Sequence, residues 1–239
     1  MFKQFKNSQA KPFNLMGLAF VMCLILTGCQ EQNSAQNDTR KAQAEPVNNE
    51  ASFTILAIGD SLTEGLGVRK ENAYPAVLQD ALHQQGRTDI KVINSGLSGE
   101  TSSGLSQRLD WALKLKPNLT IVNIGANDAM RGLPLELTSK NIADIITRVQ
   151  ASGSHVILAG MQIYDNLGRE YVVGFKDMYP QLAEQHKVPL IPFFLEHVAG
   201  QTSLNQADMI HPNAAGYQVI VQRNVLPVVT ETLQTIETQ

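Results

Sequence analysis

Cysteine is scarce in this sequence of 239 residues, and so is an excess of charge of either sign. The two cysteines, Cys23 and Cys29, have no matching histidine or cysteine pair nearby, so no zinc site is indicated. The formal net charge is only -3, whereas proteins that bind nucleic acid usually present a strongly basic face. The glycine patterns that hold nucleotide phosphates, GxxxxGK[ST] and GxGxxG, are also missing. We therefore expect no metal, no nucleotide cofactor and no nucleic-acid partner.

A hydrophobic run long enough to cross a membrane is missing as well. The apolar stretch from Leu15 to Leu26 is interrupted by Gly17, whereas a spanning helix needs about 20 apolar residues. Three lysines precede it within the first eleven residues, and a short apolar segment after a basic start is typical of an export signal. A buried core helix is the alternative, but no amphipathic or capping residues surround the stretch. We therefore interpret residues 1–28 as a signal peptide.

The end of this signal resembles the lipobox of bacterial lipoproteins, in which the signal is removed directly before a cysteine. The residues that carry the resemblance are Leu26-Thr27-Gly28-Cys29. The resemblance implies a lipidated Cys29 that anchors an exported protein to a membrane, facing the periplasm. The residue after the cysteine is Gln30 rather than an aspartate. In Gram-negative lipoproteins, a residue other than aspartate at this position usually goes with transfer to the outer membrane. An ordinary signal without a lipid remains the alternative.

Residues 29–50 are rich in glutamine, asparagine, alanine and glutamate and contain almost no large apolar side chain. Such a segment cannot bury enough apolar surface to offset the entropy of ordering it. We predict that it forms a flexible tether that carries Cys29 at its start. The folded domain is then expected over residues 51–239.

Within this domain, short runs rich in Val, Ile and Leu alternate with segments of helical periodicity. Alternating strands and helices indicate right-handed βαβ units and a parallel sheet that is covered on both faces. We predict one α/β domain, a three-layer α/β/α sandwich with a five-stranded parallel sheet. The strands are expected at 53–58, 90–93, 119–124, 155–159 and 188–193. The main helices are expected at 74–85, 102–116, 136–151 and 214–234, with a further helix that ends near residue 186.

Polar clusters follow the first three strands directly, and a fourth precedes the last helix. Ser61 comes just after the first strand, where open α/β sheets place their ligand crevice, so it is our candidate nucleophile. Asp60-Ser61 could instead only cap the next helix, because both residue types are favoured there. Such a local explanation suffices for any single cluster, but it does not predict four clusters of reactive type at one edge.

These clusters resemble the four conserved blocks of the SGNH (GDSL) hydrolases, and they occur in the same order. They are Gly59-Asp60-Ser61-Leu62, the Gly99 loop, Gly125-Ala126-Asn127-Asp128 and Asp208-Met209-Ile210-His211-Pro212. Further similarity, through Met130 to Leu133 and Met161 to Ile163, is to thioesterase I/lysophospholipase L1 and bacterial arylesterases. The resemblance implies a flavodoxin-like fold of the SGNH type.

The resemblance also assigns a role to each matching residue. It implies Ser61 as the nucleophile, His211 as the general base and Asp208 as the carboxylate that orients the histidine. The backbone N–H groups of Ser61 and Gly99, with the side chain of Asn127, are implied as the oxyanion hole. These residue types suit the chemistry, since a serine hydroxyl needs a base to attack and the negative oxygen needs preorganised donors.

We therefore expect a serine esterase that hydrolyses aryl esters, lysophospholipids and acyl thioesters through an acyl-enzyme on Ser61, as a monomer without a cofactor. Leu133, Leu135 and Tyr164 are expected to line an apolar substrate groove, although apolar loop residues can also simply pack on their neighbours. Two alternatives remain: a carbohydrate O-acetyl esterase of the same superfamily and a non-catalytic envelope lipoprotein. The intact set of reactive residues argues against the non-catalytic reading.

Overall fold

The structure is a computed structural model that describes residues 52–164 and 167–238. The signal segment 1–28, Cys29 and the tether lie outside these residues, so the predictions made for them stay predictions. None of the helices in the described part of the chain is both long and apolar enough to cross a bilayer.

Five parallel strands form one sheet in the order β2-β1-β3-β4-β5. The strands β1, β3 and β4 in the middle are buried almost throughout, as expected for a sheet that is covered on both faces. The five-stranded parallel sheet predicted from the sequence is confirmed. Its strands are β1 (Phe53–Gly59), β2 (Ile90–Gly96), β3 (Leu119–Asn123), β4 (His155–Ala159) and β5 (Leu190–Ile191).

Two groups of helices cover the sheet. In one group α5 packs against α3 and α6, and in the other α2 packs against α7 and α8. The bounds are α1 (Ser61–Glu64), α2 (Tyr74–Gln84), α3 (Ser102–Leu113), α4 (Ala126–Met130), α5 (Leu135–Ala151), α6 (Arg169–His186), α7 (Ala214–Ile220) and α8 (Leu226–Glu237).

The strand register brings three loop starts together at one edge of the sheet. Gly59, the last residue of β1, pairs with Gly96 at the end of β2 and with Asn123 at the end of β3. Because all strands are parallel, the loops after β1, β2 and β3 leave from neighbouring points. The first three polar clusters of the sequence follow these strands, and the fourth lies in the segment before α7.

Three of the differences from the sequence-based prediction have a clear local reason. Strand β2 extends to Gly96 because Asn94 and Ser95 keep pairing with β1 beyond the apolar run. Strand β5 is only two residues long, because the flanking Pro189 and Pro192 have no N–H to donate to a ladder. The last helix is interrupted by a π-helical segment, Val221–Val225, just before a proline in the first turn of α8.

Candidate active site

Ser61 lies where β1 turns into α1. The side chain of Asp60 caps this short helix, because its Oδ1 accepts a hydrogen bond from the backbone N–H of Leu62 at 3.0 Å. Ser61 is the first helical residue and is 8% exposed. The capping function considered from the sequence is therefore real, but Asp60 performs it and the Ser61 hydroxyl remains available for another partner.

That partner is His211. Its Nε2 lies 2.9 Å from Ser61 Oγ, and its Nδ1 lies 2.7 Å from Asp208 Oδ2. An ionised carboxylate can only accept hydrogen bonds, so Nδ1 carries the proton and donates it to Asp208. Nε2 is then left to accept a hydrogen bond from the Ser61 hydroxyl, which is the arrangement that a general base requires.

The loop before α7 holds Asp208 in its ionised form. Asp208 Oδ1 accepts hydrogen bonds from the backbone N–H groups of Ile210 at 2.9 Å and of His211 at 3.0 Å. These bonds and the one from the histidine ring lower the pKa of Asp208 to about 2. Met209, which lies between Asp208 and Ile210, has a φ of 58°. This gives the loop a sharp bend that brings the carboxylate back to the backbone of residues 210 and 211.

The three oxyanion donors implied by the resemblance lie in the segments that follow β1, β2 and β3. Within residues 52–164 and 167–238, the backbone N–H groups of Ser61 and Gly99 have no hydrogen-bond acceptor. Asn127 Nδ2 donates one of its two hydrogens to Asp60 Oδ2 at 3.3 Å and keeps the other for a further acceptor. These unused donors suit the stabilisation of a negatively charged oxygen.

Asp60 is 1% exposed and touches both the nucleophile's helix and Asn127. Burial raises the pKa of its carboxyl to about 6, against the opposing effects of the Leu62 N–H, the charge of His211 and the Asn127 amide. Its contacts are those of a residue that supports Ser61 and Asn127 through hydrogen bonds.

A cavity of about 570 Å³ opens beside Ser61 and His211. Its wall is mainly apolar, which suits the acyl part of an ester more than a sugar. The apolar lining residues are Leu62, Ala126, Met130, Met161, Ile163, Tyr164, Leu167, Phe193, Leu195, Ala199, Met209 and Ile210.

Of the three substrate-binding residues predicted from the sequence, the structure places only Tyr164 on this cavity. Its hydroxyl donates to the carbonyl of Met209 at 3.0 Å. Leu133 and Leu135 do not line the cavity, which corrects the prediction. Leu135 already begins α5 and packs on the core beside Gly174, and Leu133 is half-buried, with its carbonyl bound by Tyr171.

Most of the residues of the cavity wall were not predicted from the sequence. Met209 and Ile210 lie inside the Asp208–Pro212 block itself, so their position next to His211 was a usable signal. Phe193, Leu195 and Ala199 come from the segment after β5 and have no local signal, because only the fold brings them to the site.

A second cavity, of about 620 Å³, opens along the starts of β4 and β5. It includes Ser154 and His155, but these do not form a nucleophile–base pair. The Ser154 hydroxyl is bound to Thr120 Oγ1 at 2.9 Å and to the carbonyl of His155 at 3.1 Å. No group of three or more His, Cys, Asp or Glu side chains in the described ranges is arranged to hold a metal ion.

A serine, a histidine and an aspartate in one hydrogen-bonded chain, with unused donors beside an apolar cavity, define a serine ester hydrolase on a parallel α/β sheet. The GDSL-like lipase/acylhydrolase family matches residues 57–219. The chain belongs to this family.

Individual relatives agree with this family. The arylesterase of Vibrio mimicus is 37% identical over 164 residues, which cover 68% of this chain and 82% of that protein. Thioesterase 1/protease 1/lysophospholipase L1 of Escherichia coli K12 is 35% identical, over 68% of this chain and 77% of that protein. The crystal structure of the psychrotrophic esterase EstA from Pseudoalteromonas sp., inhibited by monoethylphosphonate, is 31% identical with a TM-score of 0.71, over 76% of this chain and 98% of that one. This chain is accordingly a carboxylic ester hydrolase.

Proposed function

We propose that this esterase hydrolyses aryl esters, lysophospholipids and acyl thioesters through an acyl-enzyme on Ser61. The observation that carries the proposal is the hydrogen-bonded chain from Ser61 Oγ through His211 to Asp208, at 2.9 and 2.7 Å. The named activities of the V. mimicus and E. coli relatives support these substrate classes.

In the first half of the reaction, Ser61 Oγ attacks the carbonyl carbon of the ester while its proton passes to His211 Nε2. The imidazolium that forms is stabilised by the ionised Asp208. The carbonyl oxygen becomes negatively charged and is held by the N–H groups of Ser61 and Gly99 and by the Asn127 amide. The tetrahedral intermediate collapses, the bond to the alcohol or thiol breaks, and the leaving group takes the proton from His211.

In the second half, a water molecule gives a proton to His211 Nε2 and its oxygen attacks the acyl carbon. Collapse of this second intermediate breaks the bond to Ser61 Oγ, which takes the proton back from His211. The products are the carboxylic acid and the free enzyme. The same histidine therefore acts first as a base and then as an acid in each half.

The size and lining of the cavity favour an acyl chain of several carbons over an acetyl group. Each methylene that leaves water for an apolar wall contributes about 0.8 kcal/mol, and an acetyl group would leave most of the 570 Å³ unused. A carbohydrate O-acetyl esterase is therefore not the function that the site supports best.

We place the enzyme at the periplasmic side of the outer membrane, as a monomer held by a lipid on Cys29, without a nucleic-acid partner. The lipobox-like Leu26–Cys29 segment supports the lipid anchor. Cell fractionation of the full chain beside its Cys29→Ser variant tests it: the native chain should stay with outer-membrane vesicles and the variant should be released. Light scattering of the purified chain tests the oligomeric state.

The main experiment uses the full chain and its Ser61→Ala variant, purified in detergent. Turnover is measured on p-nitrophenyl esters from acetate to palmitate, on a lysophospholipid and on an acyl-CoA. We expect activity that depends on Ser61 and peaks at chains longer than acetate. Turnover of acetate alone would instead indicate the O-acetyl esterase, and equal rates for the two proteins would leave only a binding function.

A further inference from the structure

The loop that carries Gly99 is a tight turn whose shape is held by charged side chains from three other elements. The N–H of Glu100 donates to the carbonyl of Leu97 at 3.1 Å, and the N–H of Leu97 donates to the carbonyl of Gly59 at 2.9 Å. Gly99 has a φ of 76°, as glycine has at the third position of a type II turn. The turn is thereby attached to the end of β1, one residue before the Asp60 cap.

The first charged contact comes from Glu64, the last residue of α1. Its Oε2 accepts hydrogen bonds from the backbone N–H of Ser98 at 2.8 Å and from the Ser98 hydroxyl. This contact is possible because α1 passes close to the end of β2. A Cβ on Gly96 would lie 2.1 Å from the backbone nitrogen of Glu64, so the approach requires glycine there.

The second and third contacts come from arginines. Arg131, which follows α4, donates through Nη2 to the carbonyl of Gly99 at 2.7 Å. Arg108 on α3 forms two bonds of 2.6 Å to the buried carboxylate of Glu100 and also donates to the carbonyl of Ser95 at 2.7 Å. Residues 98, 99 and 100 are thus each held by a separate charged side chain.

We propose that Glu64 and Arg131 are positioning residues that fix the Gly99 peptide so that its N–H points at the reacting carbonyl oxygen. This inference rests on the proposed function, in which Gly99 is an oxyanion donor. Exposed ion pairs and hydrogen bonds contribute little to stability, so stability does not explain why two exposed charges converge on a four-residue turn. A donor stabilises the transition state only if it is aimed in advance, because reorganising it during the reaction raises the barrier.

The two residues act from opposite sides of the turn. Glu64 binds the N–H of Ser98 and thereby fixes the orientation of the 97–98 peptide, which directly precedes the 98–99 peptide. Arg131 binds the carbonyl on the other side of Gly99 and thereby prevents this flexible residue from rotating. Loss of either contact should leave the donor in place but less well aimed, which affects kcat more than KM.

The test compares a p-nitrophenyl butyrate ester with its thionocarbonyl analogue, in the full chain and in the Glu64→Ala variant. Sulfur is a weak hydrogen-bond acceptor, so a badly aimed oxyanion donor matters less for the thiono ester. For Glu64→Ala we expect kcat to fall about tenfold on the ester and less than about threefold on the thiono ester, compared with roughly 10²–10³ for complete loss of a donor. KM should stay within about twofold.

Two further variants separate positioning from a general effect. In Glu64→Gln the amide oxygen can still accept the Ser98 N–H, so activity should stay within about threefold of the native rate. Glu71→Ala removes a carboxylate of the same charge from an exposed pair with Arg69. This variant should leave the kcat on both substrates unchanged. Arg131→Ala should repeat the Glu64→Ala pattern, with Arg69→Ala as its control, and it keeps the proposal testable if Glu64→Ala does not fold.

An equal fall on both substrates, a change in KM alone, or no change in the Glu64→Ala and Arg131→Ala variants would overturn the positioning role. The proposed function would survive that result as long as Ser61→Ala abolishes turnover. Conversely, turnover that persists in Ser61→Ala overturns the proposed function itself, whatever the effect of Glu64. The two failures are therefore distinguishable in one set of assays.

Discussion

The carboxylate of Asp60 connects two separate parts of the site, because its Oδ2 accepts a hydrogen bond from Asn127 Nδ2 at 3.3 Å while its Oδ1 caps the helix of the nucleophile. Since Asp60 is 1% exposed, this pairing is shielded from water. One buried side chain thus sets both where Ser61 begins its helix and how the Asn127 amide is turned.

Replacement of Asp60 by asparagine should lower activity. The new amide can still cap α1 through its oxygen, but its nitrogen would face the nitrogen of Asn127 and lose that hydrogen bond. We expect kcat to fall by about one to two orders of magnitude, less than or similar to the loss of one oxyanion donor. The exposed Asp80→Asn variant is the control and should retain the native kcat.

Although Asp60→Asn should lower activity, it should raise stability relative to the native chain in mildly alkaline solution. The pKa of Asp60 is raised from 3.8 to about 6 in the folded chain, so between these values the folded state binds more protons than the unfolded state. The native free energy of unfolding should therefore fall as pH rises through this window, by about 3 kcal/mol at about 1.4 kcal/mol per pKa unit. Urea unfolding of the native chain and Asp60→Asn at pH 4 and pH 8 should show the decline only in the native chain. An equal decline in both would contradict the assignment.

On the acid side, activity should follow the protonation of His211 and not that of Asp208. The pKa of Asp208 is lowered to about 2, so Asp208 stays ionised wherever the folded enzyme can be assayed. An imidazolium cannot accept the Ser61 proton, so kcat/KM measured from about pH 8 down to about pH 5 should decrease towards the acid end. The Asp60→Asn variant should retain this decrease. A rate that is constant over this range would refute His211 as the base.

The members of the Ser61–His211–Asp208 chain should not contribute independently. Ser61→Ala alone should reduce kcat by more than about two orders of magnitude, and adding His211→Ala should reduce it little further, because such residues act as a unit. Turnover rates of the single and double variants test this. Additive losses would show that His211 acts on something other than the Ser61 hydroxyl.

The fold was predictable from the sequence where burial alone determines structure. Strands β1, β3 and β4 are buried on both faces, so their sequences are continuous apolar runs of strand length. The shortness of β5 has a visible cause in the sequence, because Pro189 and Pro192 flank it and proline has no N–H to donate to a ladder. The extension of β2 through Asn94 and Ser95 was not predictable, because it depends on pairing with β1 rather than on local composition.

In the site, residues within a short motif were easier to predict than residues that only the fold brings together. Asp208 and His211 are three positions apart and one bend joins them. Leu133 was expected on the cavity as an apolar loop residue, but it is half-buried away from the cavity wall, with its carbonyl bound by Tyr171. Phe193 and Leu195 reach the cavity from about 130 residues beyond Ser61 in sequence, and no periodicity in the chain indicates such contacts.

Removal of Arg108 should destabilise the domain strongly. The side chain of Glu100 is 3% exposed and is paired with Arg108 through two bonds of 2.6 Å. Arg108→Ala would leave a buried carboxylate without its partner, which typically costs about 3–5 kcal/mol. Urea unfolding should show this loss, and a Glu100→Leu/Arg108→Met double variant should recover part of it because no unpaired charge remains.

The matched control for Arg108→Ala is Arg87→Ala, which removes an arginine from more exposed pairs with Asp89 and Glu237. Such pairs contribute about 0–1 kcal/mol, so this variant should unfold nearly like the native chain. If the two arginine variants lose the same free energy of unfolding, the burial of Glu100 is not the reason that its pair with Arg108 stabilises the domain.

Truncation of a cavity wall residue should change the preference for acyl chain length. Ile163 lines the cavity beside Ser61, so Ile163→Ala removes apolar surface that a long acyl chain would contact but an acetyl group would not reach. We expect kcat/KM for p-nitrophenyl octanoate to fall about 5- to 30-fold, which corresponds to about 1–2 kcal/mol of lost contact, with little change for the acetate. Leu133→Ala truncates a half-buried side chain that does not line the cavity, so it should leave the ratio of the two rates unchanged. A shift in that ratio for Leu133→Ala as large as for Ile163→Ala would mean that acyl chains run past Leu133 rather than along the cavity walls described above.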